Sequence, residues 1–188
     1  MTRFRLFLAS LAFVALSALG ALPAAAAPGP YSADELVAEG NRFFGSVSQG
    51  LASAIEESVA KYGLPNGYIL GEEGSGAIFG GLRYGKGWLS TKNAGKFPIF
   101  WQGPSLGFDV GGNGDRVMML VYNLPDVQSV YSRFPGLAGT AHVVAGFGVT
   151  VLAKDGITLV PIISGVGARI GVNVGYLKFT DHHTWNPF

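Results

Sequence analysis

Val166 to Phe179 reads VGARIGVNVGYLKF and gives the clearest alternation in the chain. Val166, Ala168, Ile170, Val172, Val174 and Tyr176 share one parity, while Gly167, Arg169, Gly171, Asn173 and Gly175 share the other. Side chains of a strand point alternately to its two faces, so this pattern predicts a strand with one buried face. Outward from it, the same character fills the stretch from Gly67 to Gly175, which holds 23 of the chain's 29 glycines among Val, Ile, Leu, Phe and Tyr. Glycines within apolar strands suit bulges, tight bends and close backbone approach, as in a small closed or strongly curled sheet.

The neighbouring segments fit that frame. Tyr68 to Leu70, Ala77 to Tyr84, Trp88 to Thr91, Phe97 to Gln102 and Ser105 to Val110 read as short strands. Gly111 to Asp115 is a turn cluster, because its residues adopt positive φ at little cost. Arg116 to Tyr122, RVMMLVY, is apolar on both parities and predicts a strand covered on both faces. Asn123 to Asp126 caps a short helix through Arg133, with Val127, Val130, Tyr131 and Phe134 on its buried side. Ala141 to Leu152 reads as one long strand, Lys154-Asp155-Gly156 as a turn, and Ile157 to Ser164 as the next strand. Asp181 to Phe188 reads as an aromatic tail on the surface.

Before the sheet, Ser32-Ala33-Asp34-Glu35 has the form of a capping box. Leu36, Val37, Phe43 and Phe44 follow, weakened by Gly40 and Gly45. Val47, Leu51, Ile55, Val59 and Tyr62 then recur at helical spacing, until Gly63 and Pro65 stop the run. Glu56, Glu57 and Lys61 form the polar face. An acidic polar face suits packing on a sheet better than lying on a membrane. The predicted fold is α+β and mainly β: a small antiparallel β-barrel or strongly curled sheet with an N-terminal amphipathic helix and one short inserted helix.

Residues 1–26 read as a signal peptide. Arg3 and Arg5 precede the uncharged apolar run Leu6 to Leu22, and Ala24-Ala25-Ala26 follows Pro23, with cleavage expected after Ala26. The rival is an uncleaved anchor, for which the run is slightly short. Export places residues 27–188 in the periplasm as one domain. With no cysteine, lipid anchoring at a cysteine and disulfides are both excluded. Only 13% of residues are charged, near balance, which excludes a general nucleic-acid binder. A monomer is expected.

Catalytic signals are weak. Gly103-Pro104-Ser105-Leu106-Gly107 has the letters of a nucleophile elbow, yet the glycines after Ser105 cannot form the helix that motif requires. His182 and His183 are adjacent and would point apart on a strand, and His142 stands alone, so no metal site is expected. Gly165 to Gly171 is strand rather than dinucleotide fingerprint. Asp109, Asp115 and Asp126 read as turn and cap residues. No cofactor is expected.

Charge is uneven, however. Arg83, Lys86, Lys92 and Lys96 meet no acid between Gly74 and Phe108, and they sit with Tyr84, Trp88 and Trp101. Cations mixed with Trp and Tyr suit lipid headgroups or anionic envelope polymers. Arg83, Lys86, Trp88, Lys92, Lys96 and Trp101 are therefore the candidate ligand contacts. The competing reading is a solvated loop whose lysines guard strand edges.

Three runs, Gly71 to Trp88 (GEEGSGAIFGGLRYGKGW), Gly103 to Asn123 (GPSLGFDVGGNGDRVMMLVYN) and Tyr131 to Val151 (YSRFPGLAGTAHVVAGFGVTV), resemble the envelope integrity protein A (EipA) family of Gram-negative bacteria. The resemblance spans about Tyr31 to Lys178. It implies a soluble periplasmic β-barrel needed for envelope integrity, with no catalytic residues. Gly87-Trp88-Leu89-Ser90 and Asp115-Arg116-Val117 are more distantly similar to SYLF lipid-binding domains, which would imply lipid binding. The expected function is thus non-catalytic support of the envelope, with an envelope lipid or lipid-linked glycan as partner and peripheral membrane contact. The alternatives are a serine hydrolase acting on envelope components through Ser105 and a small outer-membrane barrel.

Overall fold

Ser32 opens the first helix as its capping box predicts. In the computed structural model, which describes residues 29–45, 48–76, 81–104, 115–164 and 175–188, the Ser32 hydroxyl accepts from the Glu35 amide at 3.2 Å. The Glu35 carboxylate in turn accepts from the Ser32 amide at 2.8 Å. Helix α1 spans Ala33–Phe44 and ends at Gly45, which takes the left-handed conformation at φ 76°. Ser48 then caps a second helix, α2, Gln49–Tyr62. The single amphipathic helix expected from sequence is therefore a pair. Gly45 closes one ladder, and Ser48 starts another by accepting from the Leu51 amide. Gly40 lets α2 come close: a Cβ there would lie 2.7 Å from Leu51 Cδ2.

Ten antiparallel strands make one sheet among the described residues. They are β1 Gly67–Gly76, β2 Leu82–Thr91, β3 Gly95–Pro104, β4 Asp115–Tyr122, β5 Arg133–Pro135, β6 His142–Val144, β7 Phe147–Val149, β8 Leu152–Lys154, β9 Ile157–Ser164 and β10 Tyr176–Thr180. Their order is β5-β10-β3-β2-β1-β4-β9-β7-β6, with β8 also pairing β9. One antiparallel bridge, Gly136 to Leu152, joins the end of β5 to β8, and the Leu137 amide donates to the Val151 carbonyl at 2.9 Å. These two links curl the sheet back on itself into a barrel, with the β6–β7 hairpin outside the ring.

Strand β4 shows why the fold has two cores. Val117, Met119 and Val121 point into the barrel, where they meet Ile69, Leu89, Ile99, Trp101, Phe134, Leu159 and Phe179. Met118, Leu120 and Tyr122 point out, beneath Leu36, Leu51, Ala54 and Ile55 of the two helices. Both faces of this strand are buried, as its doubly apolar sequence predicts. Each such side chain removed from water contributes roughly 1.5–3 kcal/mol.

Four sequence expectations are corrected, the first at β10, where Leu177 and Phe179 rather than Tyr176 are on the buried parity. Ala141 to Leu152 is not one strand, because Ala145 (φ 44°) and Gly146 (φ 90°) turn the chain between β6 and β7. The inserted helix shrinks to a single 3₁₀ turn, Val127–Val130, capped by Asp126, whose carboxylate accepts from the Ser129 amide at 3.0 Å. Arg133 belongs instead to β5, which sends Phe134 into the barrel. Tyr68 to Leu70 is part of a strand that continues to Gly76, and β2 joins the expected piece Trp88 to Thr91 to the end of the piece Ala77 to Tyr84, of which residues 77–80 lie outside the described residues. The turn at Asp155 and Gly156 forms with positive φ at both residues. The signal peptide, Ser105 to Val110, Gly111 to Gly114 and Val166 to Val174 lie outside the described residues.

Candidate ligand-binding face

The register of β1, β2 and β3 decides which way each candidate residue points. Residues directly opposite in an antiparallel pair share a face. One row runs Glu73, Gly85, Trp101, Phe179 across β1, β2, β3 and β10, and it faces the barrel interior. Gly85 has no side chain, so the Trp101 indole lies across it: a Cβ there would be 2.0 Å from Trp101 Cε2. Gly71 makes room for the same ring, 2.7 Å from a Cβ position. The indole thereby reaches the far strand, and its Nε1–H donates to Glu73 Oε2 at 2.6 Å. Arg83 also points inward and approaches Glu73 Oε1 with Nη1 at 3.8 Å.

Arg83 and Trp101 are thus 5% and 0% exposed, so the six residues expected on one ligand surface do not form one. These two belong, with Glu73, to a buried polar group set among the apolar core residues of the barrel. Trp101 is fully enclosed, and the Arg83 Nε is buried without a partner. The signal that sequence reading passed over is parity. Trp101 alternates with Ile99, and its row in the sheet holds Glu73, Gly85 and Phe179.

The next row faces outward: Glu72, Lys86, Phe100, Thr180. Beyond it come Leu70, Trp88, Pro98 and then Tyr68, Ser90, Lys96. Lys86 and Lys96 are exposed, and Trp88 is 54% exposed. Lys92, in the β2–β3 turn, is committed elsewhere. Its Nζ lies 3.0 Å from Glu35 and 5.0 Å from the Tyr31 ring centre, which ties the turn to the start of α1. The Ser32 amide, and Lys92 after it, hold the Glu35 carboxyl below its ordinary pKa. Of the six candidates, Lys86, Trp88 and Lys96 share an open outward face.

A segment missed by the candidate set borders that face. Tyr84 donates its hydroxyl to the Trp185 carbonyl at 3.0 Å, and Tyr176 donates to the Pro187 carbonyl at 3.0 Å. Lys178 Nζ donates to the main-chain oxygens of Asn186 at 3.1 Å and Phe188 at 2.7 Å. These bonds lay the tail on the outside of β2, β3 and β10. Its rings continue the outward row: Trp185 meets Tyr84, and His183 meets both Phe100 and Trp185.

The remaining chemical candidates are structural. His182 pairs with Asp181 at 2.5 Å, while His183 meets Phe100 and Trp185 edge to face, so the two imidazoles have separate partners. His142 Nε2 pairs with Glu57 of α2 at 2.9 Å, and Asp126 is a cap. No group of acids and histidines suited to a metal occurs among the described residues. Gly103 serves close approach, since a Cβ there would sit 2.2 Å from the Tyr176 carbonyl oxygen. Ser105 and Asp109 lie outside the described residues. No helix among the described residues is long and apolar enough to cross a membrane.

Residues 29–188 match a family model described as envelope integrity protein A. A crystal structure of a beta-barrel-like, uncharacterized protein from Brucella abortus is 62% identical, with a TM-score of 0.78. The match covers 85% of this chain and 99% of that one. No curated protein matches the chain.

Proposed function

The chain belongs to the envelope integrity protein A family, and from that premise we propose that it supports the envelope as a non-catalytic periplasmic protein holding an envelope lipid or lipid-linked glycan on the outward face of β2 and β3. The observation that carries this reading is the outward pairing of cations with rings. Lys86 stands between Tyr84 and Trp88 along β2 and opposite Phe100 on β3, while Lys96 flanks the same face. An ammonium beside an indole suits a boundary that is apolar on one side and anionic on the other. The two helices cover β4 and the neighbouring outward residues Tyr68 and Leu70 of β1, and leave Lys86 and Trp88 exposed. Export by cleavage after Ala26 would deliver residues 27–188 to the compartment where such ligands occur.

The test is co-sedimentation with envelope-lipid vesicles and capture on immobilised lipid-linked glycan. Wild type is expected to bind one of them, and Lys86→Glu/Lys96→Glu to lose binding while melting at an unchanged temperature. Equal binding by both forms, or none by wild type, removes the reading.

A further inference from the structure

We propose that the tail, residues 181–188, completes this face and inserts the rings of Trp185 and Phe188 into the surface of an anionic bilayer; the inference rests on the face proposed above and chooses the lipid over the glycan. Tail and sheet are joined by unusual means. The hydrogen bonds from Tyr84, Tyr176 and Lys178 go to main-chain oxygens, so they fix the path of the tail while Trp185 and His183 touch the sheet by their edges. The Asn186 amide donates to Thr184 Oγ1 and the Phe188 amide to Asn186 Oδ1, which stiffens the tail from within. An apolar tail laid on a protein to lower its own exposure would turn its rings down. Here Pro187 is buried, while Trp185 is 67% and Phe188 74% exposed, the highest values among the exposed large hydrophobic residues described.

These rings also connect to the face already described. Trp185 packs on Tyr84 and His183, His183 on Phe100, and Phe100 lies opposite Lys86, two positions from the 54% exposed Trp88. Indoles at both ends with Lys86 and Lys96 between and beside them match a headgroup layer, where rings settle at the wet boundary and ammonium groups meet phosphate. A glycan needs free hydrogen-bonding groups for its hydroxyls. The two phenols and the Lys178 ammonium nearest the tail are already engaged by tail oxygens, so what remains beside the tail is ring surface with the cations Lys86 and Lys96, Glu72 opposite Lys86 being the acid of the row. Fixing the tail before contact also lowers the ordering cost of binding.

Intrinsic fluorescence gives the test, because Trp101 is enclosed and serves as a constant background. Vesicles of phosphatidylcholine with phosphatidylglycerol are prepared with and without brominated acyl chains. The Trp88→Phe variant then reports on Trp185, and the Trp185→Phe variant on Trp88. Quenching in both variants, absent from pure phosphatidylcholine, is expected. Trp185→Ala/Phe188→Ala is expected to bind about tenfold more weakly, with its melting temperature unchanged. Binding by that variant equal to wild type, or quenching confined to Trp88, overturns the role of the tail and leaves the lysine face standing. Binding of wild type to soluble glycan but not to vesicles overturns the bilayer inference and keeps the parent reading. Binding to neither overturns both.

Discussion

Strands β4 and β2 flank the same strand, β1, yet they live in different surroundings. On β4 both faces are sealed, one by the barrel interior and one by α1 and α2. On β2 the inward face is sealed, while the outward face buries Ser90, carries the tail at Tyr84 and leaves Lys86 and Trp88 in solvent. The interiors differ as well. β4 fills its share with its own Val117, Met119 and Val121, whereas β2 sends in Arg83 and Leu89 with Gly85 and Gly87 between them, and Trp101 from β3 lies over Gly85. The difference teaches that glycines here are not gaps in a core. At Gly71 and Gly85 they are the floor on which one large ring lies, while the outward side of β2 leaves Lys86 and Trp88 open.

The largest expected effect breaks the glycine side. Trp101→Ala should lose about 3–5 kcal/mol in denaturant unfolding, because a cavity opens over Gly71 and Gly85 and the buried Glu73 carboxylate loses its donor. Gly85→Ala should approach from the other direction at about 1–3 kcal/mol by displacing the ring. A neutral Gly85→Ala would mean that the indole does not lie where described.

On the doubly sealed strand, Met118→Ala and Met119→Ala should each lose about 2–5 kcal/mol, since both side chains are fully buried on opposite faces. A much smaller loss for Met118→Ala would show that the helices cover β4 only loosely, and the contrast with β2 would shrink accordingly.

A gentler test uses tyrosines confined to the helix side. Burial pushes Tyr31 up to about 12, with Tyr68, Glu35 and Glu39 adding to it. Burial also raises Tyr68 and Tyr122, and Tyr122 lies beside Tyr62 with its hydroxyl enclosed and unpartnered. A raised pKa means that the folded state favours the neutral phenol. That stability is whole below the unfolded value of 10 and drains away as pH rises through the folded values. Unfolding midpoints measured from neutral pH upward should therefore fall above pH 10, and Tyr122→Phe should flatten the fall. An unchanged slope in that variant would place the alkaline sensitivity elsewhere.

Much of this contrast was legible in residue order. RVMMLVY announces a strand buried on two sides because neither parity offers a polar residue, and the structure gives each parity its own cluster. The box at Ser32 and the turn at Lys154-Asp155-Gly156 were legible because their chemistry is local. Arg83 and Trp101 were not. Composition groups them with nearby lysines, whereas their direction follows from pairing with β1, where Glu73 waits. Ala145 hid the β6–β7 turn, since alanine seldom signals positive φ. The tail was read as aromatic and superficial, but its docking to Tyr84 and Lys178 depends on strands distant in sequence.

The closure between β5 and β8 sets how this ring breathes. Long ladders join β1 to β2, β2 to β3 and β1 to β4, while the seam's main-chain links are one bridge and one neighbouring amide bond, flanked by the Lys154–Ser132 and Val151–Thr140 side-chain hydrogen bonds. Thermal opening is concentrated at such a clasp, so amide exchange at Leu137 should outrun exchange along the β1–β4 wall. The barrel can part there like a cuff, admitting solvent beside Phe134, while the wall that carries Lys86 and Trp88 keeps its shape.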